Sequence, residues 1–270
     1  MTYLGTLGRM INIKCPSSLS TEHGDRYTLT PTVEGGVRAQ VRPISARQWQ
    51  IGWGDLSTPA DLAVLQDFAR GAWGAGPWWF LSPDALNTNI LTPRQAALVE
   101  REQRDELANG GPVQVSDGSF APMSVLVNAV GTQSIPLVRR LPVIPGMPVT
   151  FTAEVEGDGT IAPEIWVAFY DVNGANIRGH FGAGRARAGM QRVSASGVAP
   201  DNAYYVSVGA RSQTLRLTRP QVTWTDVPPP VFSDGRGCSA AVVHGVSEGL
   251  VLTDPTRTFM NAGFTVSEVL

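Results

Sequence analysis

The residues able to do acid–base, nucleophilic or metal chemistry are few in this sequence and stand far apart. His23, His180 and His244 are isolated, and none lies in the His-x-x-x-His or Cys-x-x-Cys spacing that grips zinc. No Gly-x-Ser-x-Gly elbow is present. Gly182-Ala183-Gly184-Arg185 is glycine-rich but lacks the Lys and Ser/Thr of a phosphate loop. A glycosidase-like carboxylate pair could be drawn from Glu154, Glu156, Glu164 and Asp171, but β-rich chains supply such pairs by chance. Asp171-x-Asn173-Gly174-x-Asn176 is loosely spaced like a calcium loop without the closing bidentate Glu, and reads as a turn. The expectation is therefore a chain with no catalytic residues, no metal and no cofactor, and not an enzyme.

Aromatic residues carry a different chemistry. Sugars stack their apolar C–H faces on exposed rings, while Asn, Asp and Arg bond to hydroxyls. The candidates for glycan contact are Trp166, Tyr170, Tyr204, Tyr205 and Trp224. Trp166 and Tyr170 share strand parity with Ala168, whereas Val167 and Phe169 take the other parity; one of these two faces is core, and the expectation is that it is the face of Trp166 and Tyr170. In Tyr204-Tyr205, alternation sends one ring in and the other out. Trp78-Trp79-Phe80 splits its rings over both faces of a strand, and both faces must be covered. Together with Trp49 and Trp53, these residues are candidates for a subunit interface, where aromatics are enriched.

The elements that position these residues are mostly strands. Tyr27–Thr30 and Val37–Arg42, joined through Gly35-Gly36, read as a hairpin. Arg47 to Trp53 alternates, with Trp49, Ile51 and Trp53 on one face and Gln48 and Gln50 on the other. A helix follows, with Thr58 as N-cap, Pro59 in its first turn, Asp61 closing a capping box, Leu62, Leu65 and Phe68 on one face, and Gly71 at its end. Thr92-Pro93-x-Gln95 is a second capping signature, and Ala96 to Leu107 fits a charged surface helix. From 112 to 226 the pattern is all-β. Strands are expected at 123–130, 148–156, 164–171, 190–196, 203–210, 214–217 and 221–225, with turn residues between them. Val227-Pro228-Pro229-Pro230 is a stiff linker. The tail 231–270 is too short to bury a core alone and is expected to complete the first domain.

The fold class that results is mainly β, with two β-sandwich domains. The first is discontinuous, 1–86 plus 231–270, and carries a short helix; the second, 87–230, is a jelly-roll-like insertion. Composition agrees with a turn-rich β protein: the 270 residues include 29 Gly and 20 Pro, 43% are hydrophobic and only 16% charged, against about a quarter in ordinary domains. Lys14 is the single lysine and the net charge is −2. No basic stripe marks a nucleic-acid partner, and no apolar run approaches about 18 residues, so no membrane span is expected. Cys15 and Cys238 allow one bridge at most and read as buried thiols. The N-terminus has no basic stretch leading into an apolar run, so synthesis in a cytoplasm is expected.

Arg47-x-Trp49, Gly54-Asp55-Leu56, the Pro-capped helix, Gly76-Pro77-Trp78-Trp79-Phe80 and Pro83 together resemble the N-terminal domain of phage minor tail and distal tail proteins. Gly235-Arg236-Gly237-Cys238 and the final Phe264-Thr265-Val266-x-Glu268-Val269 are similar to the closing strands of such proteins. Asn89-Ile90-Leu91, Val143-x-Pro145-Gly146 and Trp166 to Asp171 followed by Gly174 resemble a carbohydrate-binding-module sandwich. The resemblance implies a virion protein of the tail tip, made in the host cytoplasm. It implies a homohexameric ring joining tail tube to tip, with tube, tip or hub proteins as partners. It also implies a displayed sandwich that touches host cell-surface polysaccharide. The alternatives are a stand-alone lectin-like binder and a glycan-degrading enzyme.

Overall fold

The computed structural model describes residues 1–13, 16–24, 27–32, 35–41, 46–57, 59–98, 113–115, 124–127, 134–157, 159–211, 215–253 and 258–269. The strands are Tyr3–Thr6 (β1), Arg9–Asn12 (β2), Ser18–His23 (β3), Tyr27–Pro31 (β4), Val37–Val41 (β5), Arg47–Ser57 (β6), Trp78–Leu81 (β7), Val113–Val115 (β8) and Ser124–Val127 (β9). They continue as Ile135–Leu141 (β10), Pro148–Gly157 (β11), Glu164–Tyr170 (β12), Asn176–Ala183 (β13), Gln191–Val198 (β14), Tyr205–Arg211 (β15), Leu215–Thr223 (β16), Cys238–Thr253 (β17) and Thr258–Glu268 (β18). The helices are Pro59–Ala69 (α1), Pro83–Thr88 (α2) and Pro93–Ala96 (α3). The protein is mainly β, as its alternation and turn content require.

The chain divides into two compact units. One comprises 1–2, 12–78 and 239–270; the other comprises 3–11 and 79–238. In the first, β17, β18, β6 and β3 are hydrogen-bonded neighbours in that order. Trp49, Ile51 and Trp53 lie on the buried face of β6, opposite Val266, Phe264 and Ala262 of β18. Trp53 stacks on Phe264 with ring centroids 5.1 Å apart. Leu62, Leu65 and Phe68 form the buried stripe of α1. Phe68 stacks on Trp73 and meets Trp78 edge to face.

The helix ends as its Gly71 predicts. Gly71 takes a φ of 77°, its N–H donates to Phe68 O, and Ala72 N–H donates to Asp67 O, the two bonds of a Schellman stop. The expected N-cap at Thr58 and the side chain of Asp61 lie outside the described residues. One end of β6 is fastened to the end of β18. Arg47 donates from Nε and Nη2 to the two Glu268 carboxylate oxygens at 2.9 and 2.8 Å, both side chains being under a tenth exposed. The hairpin β4–β5 forms with Leu29 opposite Ala39.

The second unit is a sandwich of two antiparallel sheets, β10-β15-β12-β13 and β14-β11-β16-β9-β8. Ile165, Val167 and Phe169 of β12 and Val206, Val208 and Ala210 of β15 face inward. They share one core with Val149, Phe151, Ala153 and Val155 of β11 and Leu215, Leu217 and Val222 of β16. The strands expected at 214–217 and 221–225 are one strand, β16. A register shift between Thr152 and Glu154 on its partner β11 breaks the alternation that separated them.

At 82–98 the capping signature is realised: Thr92 Oγ1 accepts from Gln95 N, and Gln95 Oε1 accepts from Thr92 N. Ser82 caps α2 with a single bond, its Oγ accepting from Ala85 N. The expected helix over 96–107 lies largely outside the described residues, as does Cys15; Cys238 is buried. Asn89 is fully buried and makes four side-chain hydrogen bonds. Its Nδ2 donates to Pro220 O and Ser233 O, and its Oδ1 accepts from Leu91 N and Val222 N. Residues 235–237 run against 90–92 so closely that a Cβ on Gly237 would sit 1.9 Å from Ile90 O. Both glycines of Gly235-Arg236-Gly237 are therefore required by backbone contact.

An aromatic groove on the outer face of a sheet

The face of β10-β15-β12-β13 turned away from the core holds a groove of 630 Å³, within the roughly 300–1,000 Å³ of small-ligand sites. Strand parity builds it. With Ile165, Val167 and Phe169 inward, Trp166, Ala168 and Tyr170 must face out, and all three line the groove. The expectation that Trp166 and Tyr170 form the core face is corrected: the opposing sheet covers Ile165, Val167 and Phe169 instead, and Trp166 and Tyr170 line the groove.

Trp166 is the floor. Its ring lies flat over β15, where a Cβ on Gly209 would come within 2.4 Å of it, and its Nε1 donates to Ala210 O at 3.2 Å. That packing leaves it only 5% exposed, so it offers one edge rather than a whole ring. Tyr170 and Tyr205 are cross-strand partners and stack at 5.0 Å with an 8° interplanar angle. They form a half-buried aromatic wall. Phe181, opposite Trp166 on β13, is 54% exposed, and the Arg211 guanidinium lies 5.4 Å from its ring centre. Ser207, Asn176, Arg139 and Arg140 supply the polar lining.

Arg140 stands at an irregularity. Between Val138 and Leu141 the β10–β15 register shifts, and Arg140 takes a φ of 58°. A bulge of this kind re-aims a side chain, and here the guanidinium lies over the Tyr205 ring, 5.9 Å from its centre.

Two of the aromatic candidates lie elsewhere. Trp224 is 4% exposed and packs edge to face on Tyr3 at 5.1 Å, so it is a core residue of the second unit. Tyr204 faces away from the groove, with its ring against Gly8. Alternation thus sends Tyr205 into the groove and Tyr204 over the N-terminal strands. The residues considered for a subunit interface are also placed inside. Trp49, Trp53, Trp78 and Phe80 are buried, and Trp79 is half-buried against the core of the second unit. Rings already covered within the chain have little surface left for a neighbouring copy.

The sequence missed Phe181 and Arg140. Phe181 sits on a strand not expected from the pattern, in a stretch read only for its glycines; alternation through Ile177, Gly179 and Phe181 was the available signal. Arg140 was hidden by the bulge.

The carboxylates do not gather. Glu154 and Glu156 pair with Arg219 and Arg216 on the other sheet. The Asp171 carboxylate accepts from Asn173 N and Ala175 N, which is the turn the sequence suggested. His244 Nε2 meets Ser267 Oγ at 2.8 Å, and His180 packs edge-on to Phe169. Among the described residues no group of three or more His, Cys, Asp or Glu side chains is placed to hold a metal ion.

No protein-family model matches this sequence, and no curated protein matches it. Solved structures resemble part of it. One is the enzymatically active domain of a bacteriophage CBA120 tailspike protein, at 12% identity and a TM-score of 0.32, covering 41% of this chain and 17% of that one. Another is a Clostridium thermocellum endo-1,4-β-D-xylanase fragment with CBM22 and GH10 modules, in complex with xylohexaose. Its identity is 14% and its TM-score 0.35, covering 42% of this chain and 24% of that one. A third is a CBM4 module, at 12% identity and a TM-score of 0.31, covering 42% of this chain and 78% of that one. These are distant likenesses, and the functional reading rests on the groove itself. They do correct one expectation. The lack of a familiar catalytic motif predicts a chain that is not an enzyme, yet its structural neighbours include an enzymatically active tailspike domain and a xylanase. The non-enzymatic reading is withdrawn.

Proposed function

We propose that this protein is a glycan-binding component of a phage or phage-like tail, with the groove of the second unit as its polysaccharide site. The observation that carries the reading is the outer face of β10-β15-β12-β13: a groove floored by Trp166, walled by the Tyr170–Tyr205 stack and Phe181, and lined by Ser207, Asn176 and arginine. Stacked rings suit the apolar faces of sugars, and the polar side chains suit their hydroxyls. The tail role rests on the motif likeness of the first unit to distal tail proteins. On that reading the unit built from 12–78 and 239–270 assembles into a homohexameric ring with tube and tip proteins as neighbours. Many copies then convert weak sites into useful avidity.

Affinity electrophoresis of the full chain through gels cast with host-envelope polysaccharides tests the binding site. Retardation by at least one polysaccharide is expected, and Tyr205→Ala and Phe181→Ala should each reduce it by about tenfold while leaving the melting temperature within a few degrees. Retardation by none of them, or retardation untouched by both substitutions, would sink the reading.

A further inference from the structure

We propose that the groove selects an acidic polysaccharide, with the Arg140 guanidinium, held over Tyr205, engaging a sugar carboxylate. The inference rests on the glycan-binding reading above and names the class of glycan. Four observations lead to it.

Among the described residues the lining contains two arginines, Arg139 and Arg140, and no acidic side chain. The protein as a whole is not basic: it has 21 Lys and Arg against 23 Asp and Glu, so a cationic groove is not the by-product of a cationic surface. Among the described residues no carboxylate pairs with Arg140. Its guanidinium rests on the face of Tyr205 instead, which leaves its N–H fork available for a planar anion. Glu164 stands directly opposite Arg211 at the far end of β12, and Asp171 is bonded into its own turn.

The backbone supplies the fourth observation. Arg140 holds a left-handed conformation, which costs a non-glycine residue free energy, at a bulge that aims it over the groove. Strain of this kind persists where the surroundings enforce it, commonly at binding sites. A carboxylate is the group whose recognition uses a guanidinium fork bidentately. A neutral glycan needs only hydroxyl partners such as Ser207 and Asn176.

The test is isothermal titration of the full chain with matched polysaccharide pairs. Each acidic polymer (polygalacturonate, polyglucuronate, polysialate) is set beside its carboxyl-reduced form, which keeps the backbone and loses the charge. Homopolymeric single-stranded DNA serves as a polyanion of another class. The expected result is at least tenfold tighter binding of one acidic polymer than of its reduced form, weakening as salt is raised. Arg140→Gln and Arg140→Gly should both bring the ratio of acidic-form to reduced-form affinity down to about one. Two variants are used because Arg140→Gly also relieves the backbone, so a shared loss cannot come from misfolding. Tyr205→Ala should weaken both forms. Equal affinity for acidic and reduced forms, or no effect of either Arg140 variant, overturns the acidic reading and leaves glycan binding standing. No binding of any polysaccharide overturns both. Tighter binding of DNA than of every polyuronate, lost in the same variants, reassigns the groove and overturns the proposal.

Discussion

Single residues in this protein are held by backbone demands as much as by chemistry. Arg140 and Gly209 show the two directions. At Arg140 a side chain is kept in a conformation that favours glycine; replacing it by Gly should raise stability by about 1 kcal/mol, visible as a small increase in the urea midpoint, while the preference for the acidic polymer is lost. Stability and function oppose each other at that position. Gly209 is the reverse. A methyl there would meet Ile135 O at 2.2 Å and the Trp166 ring at 2.4 Å, so Gly209→Ala should push Trp166 off its strand and distort the groove floor. Tryptophan fluorescence would report the displaced ring, and an unchanged spectrum with full binding would contradict this account of the floor.

At the scale of elements, the two units are secured by different bonds. In the second, Asn89 ties 89–91 to β16 and to the 233 segment through four hydrogen bonds with no exposure to water. Asn89→Ala would strand buried donors and acceptors at roughly 1–3 kcal/mol each. The expected outcome is a loss of at least about 3 kcal/mol in chemical denaturation, and a loss under 1 kcal/mol would show that water replaces the side chain. In the first, the buried Arg47–Glu268 pair joins the start of β6 to the end of β18. Removing one partner leaves the other charge buried, so Glu268→Ala should cost about 3–5 kcal/mol. Replacing both partners by apolar residues should cost less than the single change, which a double-mutant cycle in urea would measure.

For the whole molecule, the open matter is assembly. The aromatic residues of the first unit serve its own packing, with Trp53 on Phe264 and Phe68 between Trp73 and Trp78, so a ring would use other surface. Leu29 and Val37 on the β4–β5 hairpin and Leu250 on β17 are exposed apolar side chains of that unit. Light scattering of the purified chain is expected to give a mass near about six copies if the ring closes unaided. A monomer that stays monomeric when mixed with tail-tube and tip proteins would remove the ring from the reading and leave the groove untouched.

Local signals in the sequence determined the mainly β class, the α1 stripe and its glycine stop, the Thr92–Gln95 box, the hairpin at Gly35-Gly36 and the parity that puts Trp166 with Tyr170. Each depends only on neighbours a few residues away, where spacing fixes geometry. Which face of β12 was core could not be read locally, because both parities carry large apolar rings and only the opposing sheet decides which is covered. The same holds for Trp224, which is buried by Tyr3 from the far end of the chain, and for Trp49 and Trp53, which are covered by β18. The bulge that turns Arg140 over Tyr205 arises from a register between β10 and β15, some seventy residues apart in sequence. The groove is therefore a tertiary product: its residues are ordinary in sequence, and long-range strand pairing alone brings them to one face.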